Sequence, residues 1–263
     1  MPTVTVNGTA LHYLDAGRGT SAVLLLHAFP VHSGMWTRQV EALARRHRVI
    51  APDYRGLGQS GTPPVATTMG LLCEDVRALL GHLRVERVGV AGLSMGGYLA
   101  FEVWRQVPGL VRGLALCDTR AGADTPEGAA GREAFARDAL EHGLGWVADQ
   151  MAPKLLRPAP DAAVLKEVRR LVADGTPAGV AAAQRGMAQR PDSTATLQTI
   201  TVPTLVVVGE QDGLTSPAEA EKLAAGIRGS RLVKIPGAGH LSNLEAPARF
   251  DEALLAWAEA LPS

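Results

Sequence analysis

Three turns in this sequence carry side chains that could together cleave an acyl bond. The first is Gly92-Leu93-Ser94-Met95-Gly96-Gly97, which follows the apolar run 87–91 and precedes a helical run from Tyr98 to Val107. In this G-x-S-x-G pattern the serine sits on a tight strand-to-helix turn. A strained backbone there lifts the hydroxyl above the sheet, and the glycines let strand and helix approach. A serine hydroxyl is a weak nucleophile at neutral pH, so it needs a base and a group to orient that base. The second turn, Glu210-Gln211-Asp212-Gly213, offers a carboxylate after the run Thr204 to Val208. The third, Pro236-Gly237-Ala238-Gly239-His240, offers an imidazole after the run Arg231 to Ile235. The competing readings are a serine that caps the following helix and a histidine that only shapes its turn. Asp118, after Ala115-Leu116-Cys117, rivals Asp212 as the acid; Asp212 is preferred, and Asp118 is assigned to ordering the loop Thr119-Arg120-Ala121-Gly122.

The elements that must position these turns alternate along the chain. Ala22 to Leu26, Arg48 to Pro52 and the run before Ser94 read as strands, separated by helical patterns over Trp36 to Arg46 and Leu71 to Leu83. Strands that are apolar throughout are buried on both faces, as in a parallel sheet covered by helices. Thr3 to Val6 and Leu11 to Asp15 are joined through Asn7-Gly8, a hairpin signal that predicts an antiparallel edge. With Gly113 to Cys117 and the two strands before Asp212 and His240, the expectation is an α/β class with a mostly parallel eight-stranded sheet flanked by helices. Loops that follow parallel strands open on one edge, so Ser94, Asp212 and His240 could converge.

Between Cys117 and Thr204 the strand rhythm stops. Ala-rich helical stretches, punctuated by Pro126, Pro153, Pro158, Pro160, Pro177 and Pro191, predict a helical cap over 121–196. It would sit on a core formed by 1–120 and 197–263. Its apolar residues Phe135, Leu140, Leu144, Trp146, Met151, Leu155, Leu156 and Met187 would cover the C-terminal edge of the sheet.

The chain has 263 residues and 46% hydrophobic composition, enough for one large domain with an insertion. Its 26 basic and 26 acidic residues cancel. No global field favours nucleic acid or an anionic membrane, and the expected partner is small and not strongly charged. Arg45-Arg46-His47-Arg48 closes a predicted helix, where cations complement the helix dipole. Cys73 and Cys117 fall in a helix and a buried strand and read as core thiols, compatible with a reducing cytoplasm. The first six residues read as a strand and not a secretion signal, and no apolar stretch reaches membrane-spanning length, so the expected location is cytoplasmic. His12, His32, His47, His82 and His142 show no metal-ligand spacing, so neither metal nor cofactor is expected. Monomer and homo-oligomer both stay open.

The order Ser94, Asp212, His240 is that of the α/β-hydrolases, and two further segments carry the same likeness. His27-Ala28-Phe29-Pro30 is similar to that family's His-Gly-Phe-Pro loop, with Ala28 in place of the usual glycine. Asp53-Tyr54-Arg55-Gly56-Leu57-Gly58-Gln59-Ser60 is similar to its Asp-x-Arg-Gly-x-Gly-x-Ser loop, in which Asp53, Arg55 and Ser60 would act as braces. The chain therefore resembles the α/β-hydrolase superfamily over nearly its whole length, and within it the small carboxylesterases and 3-oxoadipate enol-lactonase-like enzymes.

That resemblance implies a serine esterase with the α/β-hydrolase fold. His240 would act as base for Ser94, Asp212 would fix the imidazole, and the backbone N–H groups of Phe29 and Met95 would form the oxyanion hole. The expected reaction is hydrolysis of carboxylic esters of small neutral substrates, with water as the only co-reactant. The same roles would serve a lactone or enol-lactone, a carbon–carbon bond, or perhydrolysis. A small-molecule receptor on the same fold is the non-enzyme alternative. Epoxide hydrolases and haloalkane dehalogenases would need an aspartate at position 94. The expected substrate pocket comprises His27, Trp146, Met151, Met187 and Leu241. For His27 a hydrogen-bonded brace of its loop is the preferred reading, and for the cap residues packing within the cap is preferred.

Overall fold

The apolar runs pair into one sheet. The computed structural model describes residues 2–19, 21–63 and 65–262. Its strands are β1 (Thr3–Val6), β2 (Thr9–Ala16), β3 (Ala22–Leu26), β4 (Arg48–Pro52), β5 (Val88–Leu93), β6 (Val111–Cys117), β7 (Thr204–Gly209) and β8 (Arg231–Ile235). They lie in the order β1-β2-β4-β3-β5-β6-β7-β8. The pairs β1/β2 and β2/β4 are antiparallel and the others parallel. Asn7 and Gly8 turn the first hairpin with φ of 46° and 71°, the geometry that matches the twist of the flanking strands. From β3 the chain steps outward to β4 and then returns past β3 to β5. The loops after β3 and β5 thus leave neighbouring strands in opposite directions and open a crevice between them.

The helices are α1 (Thr37–Leu43), α2 (Met69–His82), α3 (Met95–Gln106), α4 (Pro126–Leu155), α5 (Ala162–Ala173), α6 (Pro177–Ala188), α7 (Thr194–Leu197), α8 (Pro217–Gly226), α9 (Ser242–Glu245) and α10 (Pro247–Glu259). Strands β3, β5 and β7 are buried at every residue, as strands covered on both faces must be. Helix α2 turns Leu72, Val76, Leu79 and Leu80 inward at helical spacing, and Thr68 caps it by accepting the Leu71 N–H. Cys73 and Cys117 are unbridged and buried in that core, and burial pushes the Cys73 thiol up to about 12.

Two elements differ from expectation. The segment read as a helix from Trp36 begins as a 3₁₀ turn, Ser33–Trp36, and the α-helix ends at Leu43. Helix α4 runs through Pro153 and bends at Gly143, whose φ of 76° is open to glycine and strained for other residues. Glycine, not proline, therefore breaks the longest helix. Pro126 and Pro177 instead occupy the first helical turns of α4 and α6, behind the caps Thr125 and Thr176. All four helices from α4 to α7 lie between β6 and β7, with α4 packed along α5 and α6. Among the described residues no helix is long and apolar enough to cross a membrane.

Candidate active site

Ser94 sits between β5 and α3 with φ 56° and ψ −113°, a conformation costly for any residue with a side chain. The turn is locked from both sides. The Ser94 N–H donates to the Cys117 carbonyl at 2.9 Å, and its carbonyl accepts from Thr119 Oγ1 at 2.8 Å. A Cβ at Gly92 would lie 2.1 Å from the Gly96 oxygen, and one at Gly96 would lie 2.1 Å from the Leu26 oxygen, so both positions require glycine. The Ser94 side chain makes no capping bond to α3, which removes the helix-cap reading. Its hydroxyl is left for another use.

His240 follows β8 on a loop held by two main-chain bonds. Gly239 N–H donates to Glu245 Oε2 at 2.6 Å, and Leu241 N–H donates to the Leu155 carbonyl at 2.9 Å. The imidazole Nδ1 lies 2.8 Å from Asp212 Oδ2. Asp212 Oδ1 accepts the N–H groups of Leu214 and Thr215 at 2.8 and 2.9 Å, and Thr215 Oγ1 donates to Oδ2 at 2.7 Å. Burial alone would raise the Asp212 pKa, but His240 and Thr215 outweigh it and hold the carboxyl below its usual value. Among the described residues both hydrogen bonds of the imidazole run through Nδ1, one to Asp212 and a longer one to Thr215 at 3.2 Å. Nε2 is the nitrogen left for a proton transfer.

Ser94 and His240 line one cavity of about 140 Å³, together with Phe29, Tyr98, Met151, Leu155, Met187, Leu214, Thr215, Arg120, Arg132 and Gln184. The Phe29 and Met95 amides have no hydrogen-bond partner among the described residues, whereas the neighbouring Ala28 N–H donates to Met35 Sδ at 3.3 Å. Met95 is the first residue of α3, where a helix leaves its N–H groups unpaired. Unpaired amides in buried residues are rare in folded chains, and two beside a serine suit a developing negative charge.

The chain is similar to known proteins over nearly its whole length. The model of the alpha/beta hydrolase fold family matches residues 21–247. The chain belongs to that family. A 3-oxoadipate enol-lactonase from Acinetobacter baylyi is 28% identical to this hydrolase over 258 residues, covering 96% of this chain and 94% of the relative. A thermophilic esterase from Thermogutta terrifontis, solved with malate bound, is 38% identical with a TM-score of 0.95 and covers 98% of both chains. The enol-lactonase from Burkholderia xenovorans is 30% identical with a TM-score of 0.89, over 97% of this chain and 99% of that one.

Of the five residues expected in the hydrolase's pocket, Met151 and Met187 line the cavity and the other three do not. Trp146 packs on Phe135, with ring centroids 5.0 Å apart, and on His142. Leu241, next to His240 in the chain, is wholly buried and does not reach the cavity. His27 is buried as well, with Nδ1–H donating to the Ala28 carbonyl at 2.9 Å and Nε2 accepting the Tyr54 N–H at 3.0 Å. Its ring stacks on Tyr54 at 3.7 Å. Burial drives its pKa down to about 4 against the opposing pull of Asp53, so it is a neutral brace. Asp53 accepts from the Ser33 and Gln59 amides, and Arg55 pairs with Asp75 through two bonds of 2.6 Å, so that loop is held as a brace too.

Sequence reasoning missed Arg120, Arg132, Gln184 and Thr215. Arg120 follows a strand end, a position that faces the same rim as Ser94 and could have been flagged. Arg132 and Gln184 lie inside α4 and α6, where nothing local marks the face that meets the cavity. Asp118, the rival acid, is wholly buried and makes no bond to His240; its oxygens accept from the Gly209 N–H at 2.8 Å and from Ser242 Oγ. Among the described residues no group of His, Cys, Asp and Glu side chains could hold a metal ion.

Proposed function

We propose that this hydrolase cleaves small carboxylic esters through an acyl-enzyme on Ser94. The observation that carries the reading is the 2.8 Å contact between His240 Nδ1 and Asp212 Oδ2, in a cavity shared with an uncapped serine on a strained turn. His240 Nε2 takes the hydroxyl proton as Ser94 Oγ attacks the acyl carbon, and Asp212 stabilises the imidazolium. The tetrahedral oxyanion accepts the Met95 and Phe29 N–H groups. Collapse expels the alcohol, which leaves with the proton from His240. Water, deprotonated by the same imidazole, then releases the acid and regenerates Ser94.

Residues 121–196 serve as a cap on a core of 1–120 and 197–263, since Arg132, Met151, Gln184 and Met187 reach the cavity from α4 and α6. Lactone hydrolysis is the second reading, favoured by two enol-lactonases among the similar proteins. A ring ester uses the same groups, and its alcohol stays attached after collapse.

The test is turnover of p-nitrophenyl acetate and butyrate beside a panel of simple lactones, with wild type and Ser94→Ala. The variant is expected to lose at least about 10³ in kcat, by the scale seen when a nucleophile of a triad is removed. Wild-type rates in the variant would sink the acyl-enzyme, and tight binding across the panel without turnover would turn the reading to a receptor.

A further inference from the structure

The cavity is more basic than a chain of balanced charge predicts. Arg120, on the loop after β6, and Arg132, on α4, line it beside Ser94 and His240. Both are tied to Asp124. That carboxylate accepts Arg120 Nη2 at 2.7 Å, Arg132 Nε, and Arg190 Nη2 at 2.9 Å. Burial would raise the Asp124 pKa, but Arg190 and Arg132 hold it well below the ordinary range, so it stays ionised. Three guanidinium groups around one carboxylate leave a local excess of positive charge. Asp212 is the acid next to His240, and both of its oxygens are already bonded.

The three arginines are not equivalent. Arg190 is buried, with its guanidinium 4.3 Å from the Tyr98 ring centroid, and it does not line the cavity. Arg132 is bonded through Nε to Asp124 and through Nη1 to Gln184 Oε1 at 2.8 Å. That bond turns the Gln184 amide so that its NH₂ group is the end without a partner among the described residues. Among the described residues Arg120 is held by Nη2 alone, and its Nη1 makes no hydrogen bond. The part of the guanidinium that faces the cavity can take a second carboxylate as its acceptor.

We propose that Arg120, assisted by the Gln184 amide, binds a free carboxylate on the substrate, so that the preferred esters are half-esters of short dicarboxylic acids and not neutral esters. The planar fork of arginine matches a carboxylate in shape as well as charge. The cavity of about 140 Å³ is smaller than the roughly 300–1,000 Å³ typical of larger ligands, which keeps the diacid short. This inference rests on the serine-hydrolase reading above and departs from the neutral substrate that the overall charge balance suggests.

The experiment compares kcat/KM for monomethyl succinate and dimethyl succinate, which share an acyl chain and differ in charge. Wild type is expected to favour the half-ester. Arg120→Met is expected to lower the half-ester to diester ratio by about 10–100-fold, mainly through KM, as loss of a charge-assisted contact would. Gln184→Leu should move the ratio in the same direction by less. Succinate should inhibit the wild type competitively and Arg120→Met more weakly by a similar factor. A wild type that prefers the diester, or a ratio unmoved in Arg120→Met, overturns the inference. So does a variant that loses both esters in equal proportion, which would make Arg120 structural. If wild type hydrolyses neither these esters nor the nitrophenyl esters, the hydrolase reading itself fails; turnover of neutral esters alone refutes only the carboxylate site.

Discussion

Asp118 and Asp212 follow the adjacent strands β6 and β7, yet only Asp212 meets the imidazole of His240. Asp118 is a buried clamp between the end of β7 and α9, through Gly209 and Ser242. Burial first, and the nearby Asp212 charge second, push its pKa well above the usual range. Asp212→Asn is therefore expected to lower kcat by about 10³–10⁴, the scale of removing the carboxylate that orients a catalytic histidine. Asp118→Asn keeps an acceptor for Gly209 and should stay within about tenfold of wild type. Rates on p-nitrophenyl acetate decide this, and the reverse ranking would move the acid to position 118.

Thr215 Oγ1 donates to the same Asp212 oxygen that meets His240. Its loss frees that carboxylate to turn away from the ring. Thr215→Val should reduce kcat by about tenfold, the worth of one hydrogen bond to a charged group, and Thr215→Ser should recover most of it. Equal losses in both variants would assign the effect to packing of the methyl group.

The glycines of the serine turn should tolerate nothing larger. A Cβ at position 96 would meet the Leu26 carbonyl oxygen at 2.1 Å, and main-chain atoms cannot rotate away as a flexible side chain can. Gly96→Ala is expected to cost about 3 kcal/mol or more in urea unfolding. Gly131 is the contrast: it is exposed within α4 and an added Cβ meets nothing within 4 Å. Gly131→Ala should stabilise by about 0.5–1 kcal/mol through helix propensity.

Acid should weaken the fold through His27. Its pKa falls from 6.5 when exposed to about 4 in the folded chain, because burial penalises the imidazolium. The unfolded chain then binds the extra proton between those two values. Stability from this group is complete above about 6.5 and is lost as pH falls to about 4. At about 1.4 kcal/mol per pH unit the loss approaches about 3 kcal/mol. Urea midpoints at pH 7.5, 6, 5 and 4 should trace it in the wild type, and His27→Gln should flatten that slope. An equal slope in the variant would assign the acid sensitivity to other groups.

What could be read from the residues alone was local. Apolar runs marked the strands, Asn7-Gly8 the hairpin, and the glycine-flanked turns the places of Ser94 and His240, because a strand or turn depends on near neighbours and on the few conformations they allow. The choice between Asp118 and Asp212 needed the register of β6 against β7 and the path of the loop after β8, which involve residues 90 and 124 positions apart. The cavity wall lay further out of reach. Helical spacing tells which face of α4 or α6 is buried but not what it is buried against. Hence Trp146 and Leu241 were expected at the cavity and are not there, while Arg120, Arg132 and Gln184 are. Chemistry at a turn is encoded nearby; the company it keeps is a product of long-range packing.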